Sequence, residues 1–185
     1  MPFTKTDIPG LIIFEPPVFR DARGYFFESY NEKLMHEGGI EMHFVQDNQA
    51  FSSYGVIRGL HYQLEPHAQT KLVRCLSGII LDVAVDIRVG SSTYGRHFSI
   101  ELSAENKKQL LVPRGFAHGY SVLSETAEVL YKCDNFYNKE AEGGIRYDDP
   151  ALGIDWKVPA GKAIVAEKDR AMPSFENCIN NFKYS

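Results

Sequence analysis

Between Ile79 and Arg88 the chain alternates. Ile79, Leu81, Val83, Val85 and Ile87 are all apolar, whereas Ile80, Asp82, Ala84, Asp86 and Arg88 are mixed. A period of two is the mark of a strand, and it predicts one face of this strand against a core. Similar short segments rich in Val, Ile, Tyr and Phe, punctuated by Gly, Pro, Asn and Asp, predict strands near 11–14, 24–30, 44–51, 56–63, 70–76, 96–102, 109–112, 117–123 and 127–136. So many strands call for two packed sheets or a closed barrel. Helix signals are few. Asn31 is placed to cap 32–37 before Gly38-Gly39 ends it, and Ser103 to cap a turn through 104–107. Beyond Asn138 the breaks at Gly143-Gly144, Asp148-Asp149-Pro150 and Pro159-Ala160-Gly161 predict irregular chain packed on the barrel. No repeat or linker interrupts the pattern, so residues 1–185 are expected to form a single domain.

Composition narrows the function classes. With 44% hydrophobic and 24% charged residues the chain has enough apolar surface for a real core, which excludes wholesale disorder. Its 20 basic and 24 acidic residues leave a net charge of -4, so no overall positive field attracts a nucleic-acid backbone. Any anionic ligand must then be held by local arginines. The longest apolar stretch, around 78–85, is interrupted by Asp82 and falls far short of the ~18 residues a membrane span needs. The opening Met1-Pro2-Phe3-Thr4-Lys5-Thr6-Asp7 lacks the apolar stretch of a secretory signal, and the expected compartment is the cytoplasm. Cys75, Cys133 and Cys178 are odd in number and lack C-x-x-C spacing, which points to structural thiols rather than a disulfide framework or zinc knuckle.

Two histidine-bearing segments resemble the paired sequence boxes of the cupin superfamily of small jelly-roll barrels. Gly55 precedes His61 by the interval of the first box, but Gln63 stands where that box has a second histidine. Pro113-Arg114-Gly115-Phe116-Ala117-His118 supplies the second box in full. The resemblance implies an all-β, mostly antiparallel jelly-roll barrel with a few short helices. One imidazole short of the usual three-histidine, one-carboxylate set, the barrel is expected to hold no metal; His67, beyond Pro66, is a poor substitute. A barrel without metal but with polar groups in its mouth suits acid–base work, since imidazole titrates near neutrality. On a regular strand, Arg58 and Leu60 would face away from Gly59, His61 and Gln63. Lys71, inside the next strand, is costly to bury unless paired or touching an anion.

More specifically, the chain resembles the dTDP-4-dehydrorhamnose 3,5-epimerase family over nearly its whole length. The resemblance is carried by the ordered blocks 19–28, 46–48, 56–63, 69–74 and 113–119, with Tyr131-Lys132, Tyr137, Asp149-Pro150, Ile154-Asp155-Trp156 and Lys168-Asp169. It implies that His61 is a base oriented by Asp169, and that Lys71 and Tyr131 supply positive charge and the acid. It further implies that Arg23 and Arg58 bind a diphosphate, with Lys168 and Arg170 as weaker candidates. Phe19, Phe26 and Tyr137 would wall the nucleotide and sugar sites, and Glu28, Gln46, Asn48 and His118 would complete them. No cofactor is implied. The block carrying Arg23, Phe26 and Glu28 would reach the site of a partner subunit by strand exchange in a homodimer. One departure is Ala166, where the family commonly has Ser two residues before the Lys-Asp pair.

The chemistry so implied fits the residue types. Carbons C3 and C5 of a 4-keto sugar flank the carbonyl, and epimerising them needs a base on one face, an enolate stabiliser and a proton donor opposite. Two alternatives stay open at this level: an enzyme inverting only one of the two carbons, and a barrel that binds a sugar nucleotide without acting on it. His118 has two readings as well, a site residue assisted by Asp82 or a hydrogen-bonded core histidine.

Overall fold

The computed structural model describes residues 2–159 and 161–184, so Ala160 in the Pro159-Ala160-Gly161 break lies outside the described residues. The N-terminal part runs β1 (Phe3–Lys5), β2 (Ile12–Phe14), β3 (Phe19–Asp21), β4 (Gly24–Phe26) and α1 (Glu32–Glu37). Eight strands form the body: β5 (Gln46–Ser53), β6 (Val56–Gln63), β7 (Lys71–Ser77), β8 (Ile79–Asp86), β9 (His97–Ser103), β10 (Gln109–Val112), β11 (Phe116–Val122) and β12 (Thr126–Cys133). The C-terminal part adds β13 (Glu142–Gly144), β14 (Ile164–Val165) and α2 (Glu167–Arg170). One sheet has the order β1-β2-β10-β7-β12-β5 and the other β13-β6-β11-β8-β9, with β14 pairing β6. Pairing between strands is antiparallel except at β14–β6. The architecture is the cupin-like jelly roll that the two boxes imply.

Three expectations need correction. The segment 24–30 supplies only the short strand β4, which pairs with β3 in a hairpin separate from both sheets. The strand β8 is not one-faced, because every residue from Ile80 to Asp86 is buried. Ile80 and Ala84 meet Val73, Leu110, Phe116, Val122 and Val129 inside the barrel. Leu81, Val83, Val85 and Ile87 meet an outer layer of Ile145, Leu152, Trp156 and Phe182. The C-terminal chain, broken as it is, therefore covers a second apolar face, and each large side chain sealed there contributes roughly 1.5–3 kcal/mol. Ser121 Oγ pins the layer by donating to the Trp156 carbonyl at 2.6 Å, and Trp156 Nε1 donates to the Tyr147 carbonyl at 2.7 Å. This tail also carries β13, β14 and α2, which its Gly and Pro breaks conceal.

The third correction decides the site. Cross-strand pairing of β6 with β11 sets His61 opposite His118 and Arg58 opposite Tyr120, so three steps on β6 match two on β11. The extra residue is a β-bulge, which reverses the alternation and turns Arg58 to the same side as His61. Only glycine fits at its centre: Gly59 has φ +129°, and a Cβ there would lie 2.6 Å from Gly119 Cα. At the other end of the chain α1 forms as its cap predicts, with Asn31 accepting from the Leu34 N–H, and it packs Met35 against Phe14, Leu72 and Leu111. It leaves part of the first sheet's outer face open, where Phe51 is 64% exposed.

Candidate active site

The bulge directs Arg58 and His61 into a cavity of about 580 Å³ inside the barrel mouth, where Lys71, His118, Tyr131 and Asp169 also line the wall. A smaller space of about 180 Å³ adjoins it, sharing His61, Lys71 and Tyr131 and adding Gln46, Asn48, Tyr137 and Glu142. Strands from both sheets and the short helix α2 thus converge on one concave surface.

Pairing of β14 with Val56 and Ile57 brings α2 over β6, which places Asp169 beside His61. His61 Nε2 lies 2.8 Å from Asp169 Oδ1, and the Gly59 N–H donates to Oδ2 at 3.1 Å. Burial pushes the Asp169 carboxyl up, but the bond from His61, its charge and the Gly59 N–H together hold it below the usual carboxylate range. An ionised carboxylate only accepts, so Nε2 carries the proton and Nδ1 is left with a lone pair. The His61 side chain is 33% exposed and that of Asp169 only 7%, so the orienting group is sealed while the base reaches the cavity.

Across the cavity stand Lys71 and Tyr131. Lys71 Nζ lies 5.7 Å from the centre of the Tyr131 ring. Burial lowers the ammonium's pKa, opposed by Cys133 and Asp82. The Tyr131 phenol is pushed up to about 12, first by burial and then by Cys133 and Tyr120, so at neutral pH it is a donor. His118 is buried, with Nε2 2.8 Å from Asp82 Oδ1.

Most of the residues expected at the site gather here. Gln46 Nε2 donates to Asn48 Oδ1, Gln46 Oε1 accepts from the Tyr137 N–H, and Asn48 Nδ2 reaches Cys133 Sγ. Arg58 is steadied by a 3.0 Å bond to Ser52 Oγ. Lys168 reaches the cavity and is tied to Glu142 Oε1, while the Tyr137 hydroxyl donates to Oε2. Sequence reasoning missed Glu142: it sits in the Glu-Gly-Gly break, which reads as a turn and gives no chemical signal. Arg170 is spent on the Val165 carbonyl. Gln63 and His67 both bond to Asn138; Gln63 edges the smaller space, whereas His67 lines neither space. Among the described residues no three His, Cys, Asp or Glu side chains gather as a metal would require.

Arg23, Phe26 and Glu28 are not brought to this chain's own cavity. Arg23 lies exposed on the β3–β4 hairpin, bonded to Asp21; Phe26 is 67% exposed; Glu28 accepts from Asn31 Nδ2.

A family model described as dTDP-4-dehydrorhamnose 3,5-epimerase matches residues 5–177. A relative of that name from Shigella flexneri is 54% identical over 166 residues, covering 89% of this chain and 91% of its own. A crystal structure of the enzyme of that name from Elizabethkingia anophelis superposes with a TM-score of 0.90 at 56% identity, covering 95% and 96% of the two chains. A dTDP-6-deoxy-D-glucose-3,5-epimerase from Legionella pneumophila, crystallised with dTDP-4-keto-L-rhamnose, superposes at 0.94 with 44% identity over 99% and 98%.

Proposed function

The chain belongs to the dTDP-4-dehydrorhamnose 3,5-epimerase family, and we propose from that premise that it inverts C3 and C5 of dTDP-4-dehydro-6-deoxy-D-glucose, giving dTDP-4-dehydro-L-rhamnose. The observation that carries the reading is a single cavity with the His61–Asp169 pair on one side and Lys71 and Tyr131 on the other. His61 Nδ1 accepts the proton from the carbon beside the ketone, and the electron pair moves onto O4 as an enolate. Lys71 supplies the positive charge that stabilises it. Tyr131 returns a proton to the opposite face, and the carbonyl re-forms with the configuration inverted. The phenol regains its proton and His61 releases the one it took. Protons move and no net electrons do, so the step calls for no redox cofactor.

Arg58 is placed to grip the diphosphate and Tyr137 to offer an exposed ring to the base, while Gln46, Asn48, His118 and Lys168 hold the sugar and phosphates. The missing share comes from a second copy: the hairpin exposes Phe19, Tyr25 and Phe26, and among the described residues its two strands pair only with each other, which suits an arm that completes the partner's site. Three free thiols suit a reducing compartment such as the cytoplasm.

The test is exchange in deuterated water with dTDP-4-dehydro-6-deoxy-D-glucose, read by NMR. Deuterium is expected at both C3 and C5. Entry at one carbon alone would reassign the chain to single inversion, and no entry would leave a binding protein. Light scattering that returned a monomer under assay conditions would remove the shared-site part.

A further inference from the structure

The proton transfers of the epimerisation leave one buried carboxylate without a task. Asp82 lies on β8 beneath the cavity and is 0% exposed. One oxygen receives His118 Nε2, and among the described residues Oδ2 has no hydrogen-bond partner. A buried, half-satisfied carboxylate is expensive unless a positive charge stands near it.

Lys71 carries that charge: Asp82 alternates in step with Ile80 and Ala84 on β8 and Lys71 with Val73 on β7, and these three apolar residues pack together inside the barrel. Arg58 and His61 face the ammonium from β6, His118 and Tyr120 from β11, Asp82 from β8, and Tyr131 and Cys133 from β12. The cavity's other two carboxylates are fully engaged. Asp169 spends both oxygens on His61 and Gly59, and Glu142 spends both on Lys168 and Tyr137. Asp82 alone among these carboxylates keeps an unbonded oxygen.

We propose that Asp82 is a positioning residue: its carboxylate fixes His118 and supplies the counter-charge that keeps Lys71 an ammonium next to the forming enolate. The inference rests on the epimerase reading for its catalytic consequence, but not for its electrostatics. Without Asp82, burial acts on Lys71 with only Cys133 left to oppose it, and the amine loses its proton at a lower pH. His118 also loses the acceptor that sets which nitrogen faces inward. The hydrogen-bonded pair therefore does more than fill the core.

The Asp82→Asn variant tests this, alongside the unaltered chain. Lys71 is labelled with acetic anhydride across a pH series and the modified peptide is quantified by mass spectrometry. In the variant, labelling is expected to begin ~1–3 pH units lower, the size of an opposite charge a few ångströms away. The alkaline limb of kcat/KM is expected to move down with it, and kcat to fall about tenfold or more while KM changes little. A folded variant whose labelling curve and alkaline limb are unmoved overturns the proposal. If Asp82→Asn does not fold, the unaltered chain decides by ¹⁵N NMR of the Lys71 side chain: a neutral amine at pH 7 overturns the proposal, and an ammonium there upholds it. A shifted labelling curve in a chain that exchanges neither C3 nor C5 would uphold the counter-charge and sink the epimerase reading instead.

Discussion

Replacing Asp169 by Asn keeps the shape of the side chain and removes its charge, and the geometry dictates how the site must respond. Two donors point at the carboxylate, His61 Nε2 at 2.8 Å and the Gly59 N–H at 3.1 Å. An amide offers one oxygen and one NH₂. The Gly59 N–H is backbone and cannot change, so the amide oxygen turns to it and the NH₂ turns to His61. His61 Nε2 must then accept, which moves the ring proton to Nδ1, the nitrogen needed as the base. Reversing the amide would set NH₂ against N–H and leave a buried donor unmade, at about 1–3 kcal/mol, or roughly 5- to 150-fold in the productive tautomer. Losing the charge-assisted bond to the imidazolium adds about 1 kcal/mol, roughly another fivefold. The expected loss in kcat is therefore roughly 25- to 750-fold, with C3 and C5 exchange falling together and KM nearly constant. ¹⁵N spectra of the His61 ring in the variant should show the Nδ1–H tautomer. A folded Asp169→Asn enzyme retaining activity within about threefold, or one keeping the Nε2–H tautomer, would refute the reasoning.

Two further outcomes concern the frame around the site. Gly59→Ala must place a Cβ 2.6 Å from Gly119 Cα at φ +129°, so it should cost about 3 kcal/mol or more in denaturant unfolding, and a loss below ~1 kcal/mol would contradict the packing. Asp86 is fully buried and accepts from Arg88, Ser91 and Thr93, so Asp86→Asn should cost ~3–5 kcal/mol. Its acid titration carries a sign: burial raises the Asp86 pKa, but the bonds from Arg88, Thr93 and Ser91 take it below the ordinary value. Stability from it is thus present above about pH 4 and lost as pH falls through the lower folded value. Thermal melts of Asp86→Asn should lose less on acidification below about pH 4 than those of the unaltered chain, and parallel acid losses would contradict this.

The strands were legible because a half-buried strand writes its period into the sequence, and the helix 32–37 because Asn31 and Gly38 mark its ends. Where both faces of a strand are covered the period carries less, as β8 shows: Ile80 and Ala84 belong to one core and Leu81 and Val83 to another. The bulge at Gly59 was not legible. One inserted residue leaves no trace in composition, yet it reverses which side Arg58 faces. Nor was the tail, whose turns hide the pairing of β14 with β6 that delivers Asp169. His61 stood out by its box spacing and Lys71 as a lysine inside a strand, whereas Tyr131 and Asp169 were named through family resemblance alone; over a hundred residues separate His61 from its carboxylate in the chain.

The two histidine–carboxylate pairs face one another across neighbouring strands, and their difference follows from exposure. His61 is 33% exposed at its side chain against 7% for His118, although each gives Nε2 to a carboxylate at 2.8 Å. A base that takes a proton in every turnover must also lose it, which requires a route to solvent. A group that holds charge near an enolate must not exchange with bulk water, because screening would weaken the field it supplies. The shallow pair therefore meets the demands of proton transfer and the deep pair those of electrostatic support. One register shift at Gly59 serves both, since it points Arg58 and His61 inward while keeping His61 opposite His118.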